Sequence, residues 1–107
     1  MSGFELAQRG EGDYVLKGEL TFATVSQALK AASGLFKNGT NNALRFDLAD
    51  IARSDSAGVA LLIEWLRDAE RTGKQLRYAH PPENLRAIAR VSGVAEFLPL
   101  DPAQPRT

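Results

Sequence analysis

LRFDLADIARSDSAGVALLIEWLRDAERTG, residues 44–73, holds the pattern that decides the fold. Leu44, Phe46 and Leu48 alternate with Arg45 and Asp47, the period-two signature of a strand with one apolar face. A polar turn, Arg53-Ser54-Asp55-Ser56-Ala57-Gly58, follows. From about Ser56 to Arg71 the apolar residues recur at helical spacing, and Thr72-Gly73 supplies a stop. A strand, a turn and a helix in this order belong to an α/β chain with crossover connections.

The flanking sequence extends the same pattern. Phe4 to Arg9 reads as a strand, Gly10-Glu11-Gly12-Asp13 as a turn, and Tyr14 to Leu20 as a second strand, which together predict a β-hairpin. Thr21 or Thr24 can cap the next helix, where Val25, Ala28, Leu29, Ala32 and Phe36 share a face. Asn38 to Asn42 is a polar loop. Beyond the central unit, Leu76 to Ala79 reads as a short strand that His80-Pro81-Pro82 breaks. A third helix starts near Pro82, with Leu85, Ile88 and Ala89 inward and Gly93 at its end. Val94 to Leu98 predicts one more turn. The order is β-β-α-β-α-β-α. It predicts a single α/β domain over residues 1–100, with a mixed, mainly parallel four-stranded sheet and helices packed on it. Residues 101–107 form a polar, proline-containing tail, expected to be flexible.

Composition narrows the function. The 107 residues carry 13 basic and 13 acidic side chains, a formal net charge of zero. Nucleic-acid binders show a basic excess or stripe, and this chain has neither. It has no cysteine, which excludes disulfides, thiol catalysis and thiolate metal sites. The first residues lack the apolar core of a secretory signal, and the longest apolar run, Val59 to Ile63, is far short of the ~20 residues a membrane span needs. These features point to the cytoplasm, with any membrane association made through a partner.

The candidate site is the turn itself. Ser56 follows Asp55 at the end of a strand, where open α/β sheets present functional groups. The helix N-terminus beyond offers unpaired N–H groups and partial positive charge, both suited to a phosphate on Ser56. Asp55 or Ser56 also serves as an ordinary N-cap. Gly58 leaves room for close approach of another backbone. Along the helix, Val59, Leu62, Ile63, Leu66 and Ala69 fill one face. Leu61 and Trp65 widen the apolar arc to about 200°, against the ~100° a surface helix usually shows. That excess fits either a partner contact or packing under a neighbouring element. Trp65 is the only tryptophan, a residue type enriched at interface hot spots. His80, the only histidine, lacks companion ligands and reads as part of a structural turn. Asp47, Asp50 and Asp55 read as turn and cap residues, since no phosphate-binding glycine loop accompanies them. No enzyme constellation, metal site or cofactor site emerges.

The chain resembles the STAS domain family. The resemblance rests on Gly18-Glu19-Leu20 ending the second strand, Asp47-Leu48 in the third, Asp55-Ser56-Ala57-Gly58 in the turn, the glycine-stopped helix after it, and Gly93 to Leu98 near the end. It covers nearly the whole chain. It implies a small β/α domain that binds a partner protein through the turn and the following helix. In the anti-sigma factor antagonists of this family, the serine at the position of Ser56 is phosphorylated by the partner kinase, which breaks the complex. In another branch the domain is the small cytosolic subunit of Mla-type phospholipid ABC transporters, clamped onto the ATPase subunit beneath a membrane permease. Phe46 to Leu62 is similar to that branch, including Ala60-Leu61-Leu62 after the turn. The resemblance therefore implies a non-catalytic subunit peripheral to the inner membrane, with Asp55, Ser56, Ala57, Gly58, Leu61 and Trp65 in its partner interface. The anti-sigma antagonist is the alternative, and a nucleotide-binding domain a lesser one.

Overall fold

The hairpin forms at Gly12, whose positive φ of 72° suits the only residue type without a Cβ. A Cβ there would also lie 2.6 Å from the Ala43 carbonyl oxygen. The computed structural model describes residues 3–37 and 41–102. In chain order its elements are β1 (Phe4–Gly10), β2 (Asp13–Leu20), α1 (Val25–Lys37), β3 (Ala43–Ser54), α2 (Ser56–Arg71), β4 (Gln75–Ala79) and α3 (Glu83–Val91), followed by a 3₁₀ turn at Ala95–Phe97. The four strands lie in the order β1-β2-β3-β4. β1 is antiparallel to β2, and β3 runs parallel to both β2 and β4. This is the mixed, mainly parallel α/β sheet expected from the pattern. The expected loop at Asn38, Gly39 and Thr40 lies outside the described residues, as do residues 103–107 of the tail.

β3 is longer than the alternation Leu44–Leu48 announces. Its pairing with β2 continues through Lys17↔Asp50, Gly18↔Ile51 and Leu20↔Ser54, with register shifts after Val15 and after Gly18. Such bulges re-aim side chains, so Ile51 reaches the core although it breaks the period-two reading. The chain end also differs from expectation. Leu100 bridges Tyr78 in parallel, and the Asp101 N–H donates to the Tyr78 carbonyl at 2.9 Å. The Asp101 carboxylate pairs with Arg77, and its carbonyl accepts from Arg86. Asp101, placed in the tail by the sequence pattern, is therefore held against β4 and Arg86.

The core gathers around Phe46, whose ring meets those of Tyr14, Phe36, Tyr78 and Trp65. The Trp65 ring stands edge-on to Phe46 at a centroid distance of 5.2 Å, a favoured aromatic geometry. α2 packs against α1 and α3 and touches β2, β3 and β4. Being flanked on both sides, it buries a wider arc than a helix at the edge of a layer. That resolves the excess apolar width: Leu61 is 2% exposed and Trp65 1%. The expectation that Leu61 and Trp65 form a contact surface is thereby corrected, because both side chains face the interior. The Tyr78 hydroxyl donates to the Leu62 carbonyl at 2.7 Å, and burial pushes its pKa well above the ordinary phenol value.

Among the described residues Asp47 is the charged residue held furthest from water, at 5% exposure. It accepts from the Ala49 N–H at 3.0 Å and lies 3.0 Å from both Arg9 and His80 Nδ1. His80 adopts φ 54° to enter the turn before α3. Burial alone would push the Asp47 carboxyl up, but the Ala49 N–H, His80 and Arg9 together hold it below its usual range. A carboxyl depressed in the folded state contributes stability at neutral pH, which is lost as pH falls from the unfolded value of about 3.9 through the lower folded value. We expect Asp47→Asn to be less stable than wild type near neutral pH, with the gap narrowing as the medium is acidified to about pH 2–3. Urea denaturation at the two pH values checks this, and a gap that stays constant or widens on acidification would refute the assignment.

Candidate functional site

Two short segments, Gly18-Glu19-Leu20 and Asp55-Ser56-Ala57-Gly58, meet at one end of the sheet. Gly18 has φ 99°, and a Cβ on it would lie 2.2 Å from the Gly3 carbonyl oxygen. That oxygen accepts from the Glu19 N–H at 2.9 Å. The Leu20 carbonyl accepts from the Asp55 N–H at 3.2 Å and sits where a Cβ on Gly58 would be, at 2.2 Å. Gly58 is therefore the residue that lets the first turn of α2 press onto the end of β2. The room foreseen for another backbone is taken by the chain's own β2.

Asp55 is the N-cap of α2. Its backbone is extended, at φ −138° and ψ −171°, as an N-cap requires. Oδ1 accepts from the N–H groups of Ala57 and Gly58 at 2.9 and 3.2 Å. Oδ2 accepts from the Phe22 N–H at 3.0 Å, across 33 residues of sequence. One carboxylate thus joins the β2–α1 connection to the start of α2.

With the cap supplied by Asp55, Ser56 is the first helical residue and is exposed. Its hydroxyl makes no hydrogen bond among the described residues, so it is open to an approaching partner. The N–H groups of Ala57 and Gly58, which a phosphate there would meet, already donate to Asp55. A phosphate on Ser56 would instead place roughly two negative charges beside that carboxylate. Arg53, three residues before Ser56 in the chain, is largely exposed and 3.9 Å from Glu19. Asn84, in the first turn of α3, donates to the Ser54 carbonyl at 3.2 Å and steadies the turn from the other side.

The site therefore contains Asp55 and Ala57, half-buried, and Ser56 at the surface. Gly58 lies beneath it, and Leu61 and Trp65 are in the core. Sequence reasoning missed Phe22, 82% exposed beside the cap. The signal available was an aromatic residue in a polar connection, Thr21-Phe22-Ala23-Thr24, with no apolar partner at strand or helix spacing. Thr24 is also not a conventional cap. Its hydroxyl donates back to the Glu19 carbonyl at 2.8 Å and accepts from the Thr21 N–H at 3.1 Å. Asp47, Asp50 and Asp55 do not converge. Among the described residues no three His, Cys, Asp or Glu side chains are grouped to hold a metal, and no helix is long and apolar enough to cross a membrane. A groove between α1 and α2, lined by Lys30, Phe36, Lys37, Asp68 and Arg71, lies at the helix C-terminal ends. Their partial charge is negative and does not favour phosphate.

A four-stranded mixed sheet whose β3–α2 turn carries a capped, exposed serine defines a domain of the STAS class. The chain belongs to the family described as Mlab, STAS domain, whose model matches residues 6–100. It is 31% identical over 55 residues to the intermembrane phospholipid transport system binding protein MlaB of Haemophilus influenzae (strain ATCC 51907 / DSM 11121 / KW20 / Rd). That match spans 51% of this chain and 52% of the relative, so the chain spans about half the length of the curated relative it matches. Among solved structures it is similar to the anti-sigma factor antagonist SpoIIAA in its unphosphorylated form, with TM-score 0.72 at 21% identity over 94% of this chain and 88% of that one. It also resembles the Bacillus cell fate determinant SpoIIAA in the phosphorylated form, with TM-score 0.68 at 21% identity over 94% and 91% of the two chains. For the murine anion transporter Slc26a9, the TM-score is 0.67 at 18% identity, over 92% of this chain and 17% of that one. At these identities the structural likenesses establish the fold.

Proposed function

We propose that this chain is a non-catalytic cytoplasmic subunit that binds and stabilises or regulates the ATPase of an Mla-type phospholipid ABC transporter, and that it reaches the inner membrane through that partner. The observation that carries the reading is the exposed Ser56, held at the start of α2 by a cap that leaves its hydroxyl free. The sequence likeness to a phospholipid transport binding protein supports it. A protein surface closing over Ser56 needs a small polar residue there. A longer charged side chain obstructs the contact and brings a desolvated carboxylate into it.

Ser56→Glu is expected to abolish co-purification with the ATPase while the melting temperature of the isolated subunit holds, since the position is exposed. Ser56→Ala keeps the complex. Retention of the complex by Ser56→Glu would remove the turn from the interface. The same exposure favours a second reading, an anti-sigma factor antagonist switched by phosphorylation. The two separate in one experiment: in the second reading a partner serine kinase adds a single phosphate to wild type and none to Ser56→Ala, and the ATPase is not bound.

A further inference from the structure

Phe22 is one of four large apolar residues exposed among those described, with Leu29, Val91 and Phe97. It differs from the other three in lying against the cap of α2. Its loop is fixed rather than loose. The Phe22 N–H donates to Asp55 Oδ2 at 3.0 Å, and the Ala23 N–H donates to Thr21 Oγ1 at 3.3 Å. The Thr21 N–H and the Thr24 hydroxyl then tie the loop to itself and to Glu19. Hydrogen bonds on both sides of the residue hold its backbone while the ring stays in water. The carboxylate that positions Ser56 through Oδ1 positions Phe22 through Oδ2.

We propose that Phe22 is the apolar anchor of the contact surface around Ser56, and that the partner offers it an apolar socket beside the point of approach to Ser56. The proposal rests on the reading that this turn meets the ATPase. An aromatic side chain on a fixed backbone loses little freedom on docking, so the area it buries converts efficiently into affinity. Aromatic residues are enriched in the cores of protein interfaces. Of the charges nearby, Glu19 and Arg53 form a pair and the Asp55 carboxylate is taken up by backbone N–H groups. That leaves the patch without the basic cluster and broad apolar face by which interfacial helices bind lipid. A protein partner fits; a membrane surface does not.

The test is calorimetric titration of the full chain into the ATPase subunit, with melting temperatures taken in parallel. Phe22→Ala is expected to weaken binding by about tenfold or more, at unchanged melting temperature. Phe22→Leu retains part of the affinity, and Val91→Ala, at another exposed apolar position, leaves it intact. Wild-type affinity in Phe22→Ala alongside lost binding in Ser56→Glu would overturn the anchor and leave the functional reading standing. No binding by wild type overturns both. A fall in melting temperature in Phe22→Ala that accounts for the affinity loss would assign the ring to the fold and overturn the anchor. So would wild-type binding to anionic phospholipid vesicles that Phe22→Ala abolishes.

Discussion

Trp65→Ala is expected to remove about 3–5 kcal/mol of folding stability, the range for a buried aromatic cut back to alanine. Trp65 is 1% exposed, and its ring meets Phe46 edge-on at 5.2 Å. Its Nε1 is buried with no hydrogen-bond partner among the described residues, so the expected loss is one of packing. Domains of this size are stable by only about 5–15 kcal/mol, so the variant sits near the edge of folding. A melting temperature lower by roughly 15–25 °C is the expected reading. Trp65→Phe, which keeps a ring in the cavity, loses less. A shift of only a few degrees in Trp65→Ala would show that the residue is not in the core. Loss of partner binding in this variant would track the unfolded fraction, which separates it from Phe22→Ala, where binding falls and the fold holds.

Gly58→Ala is the second large effect, and it acts through crowding. The added Cβ would lie 2.2 Å from the Leu20 carbonyl oxygen and 3.0 Å from the Leu20 Cβ. The obstacle includes backbone, so the N-terminus of α2 must move away from β2. Overpacking of a well-filled site costs about 1–3 kcal/mol, and more where backbone is the obstacle. We expect about 3 kcal/mol here. Gly34→Ala is the control. It lies inside α1 with nothing within 4 Å of its Cβ position, and it should gain up to about 1 kcal/mol because alanine is the better helix former. Urea denaturation of both variants reads the contrast directly. A neutral Gly58→Ala would mean that α2 does not press on β2 as described. Because the displaced end of α2 carries Asp55 and Ser56, partner binding should weaken in Gly58→Ala along with stability.

Much of the fold was legible because local patterns were strong. The α2 boundaries, Ser56 to Arg71, follow from helical periodicity, a capping aspartate and a following Thr-Gly. The hairpin follows from Gly-Glu-Gly-Asp between two apolar runs. The alternation in β3 stops at Leu48 because its bulges displace it, and a bulge is set by pairing with β2 rather than by β3 alone. Nothing in Asp-Pro-Ala-Gln signals the attachment of Asp101; Arg77, Arg86 and the backbone of Tyr78 supply it from elsewhere in the chain.

The sequence by itself determined the element order, the α/β class and the turn that carries Ser56, since each depends on neighbours within a few residues. Only the tertiary structure decided which side of α2 meets water. An apolar arc records how much of a helix is covered, and gives no sign of whether its own fold or a partner does the covering. Here α1 and α3 flank α2, so Leu61 and Trp65 belong to the core. Tertiary structure also placed Phe22 beside Ser56 through a single carboxylate bridging 33 residues, a proximity that no local pattern encodes.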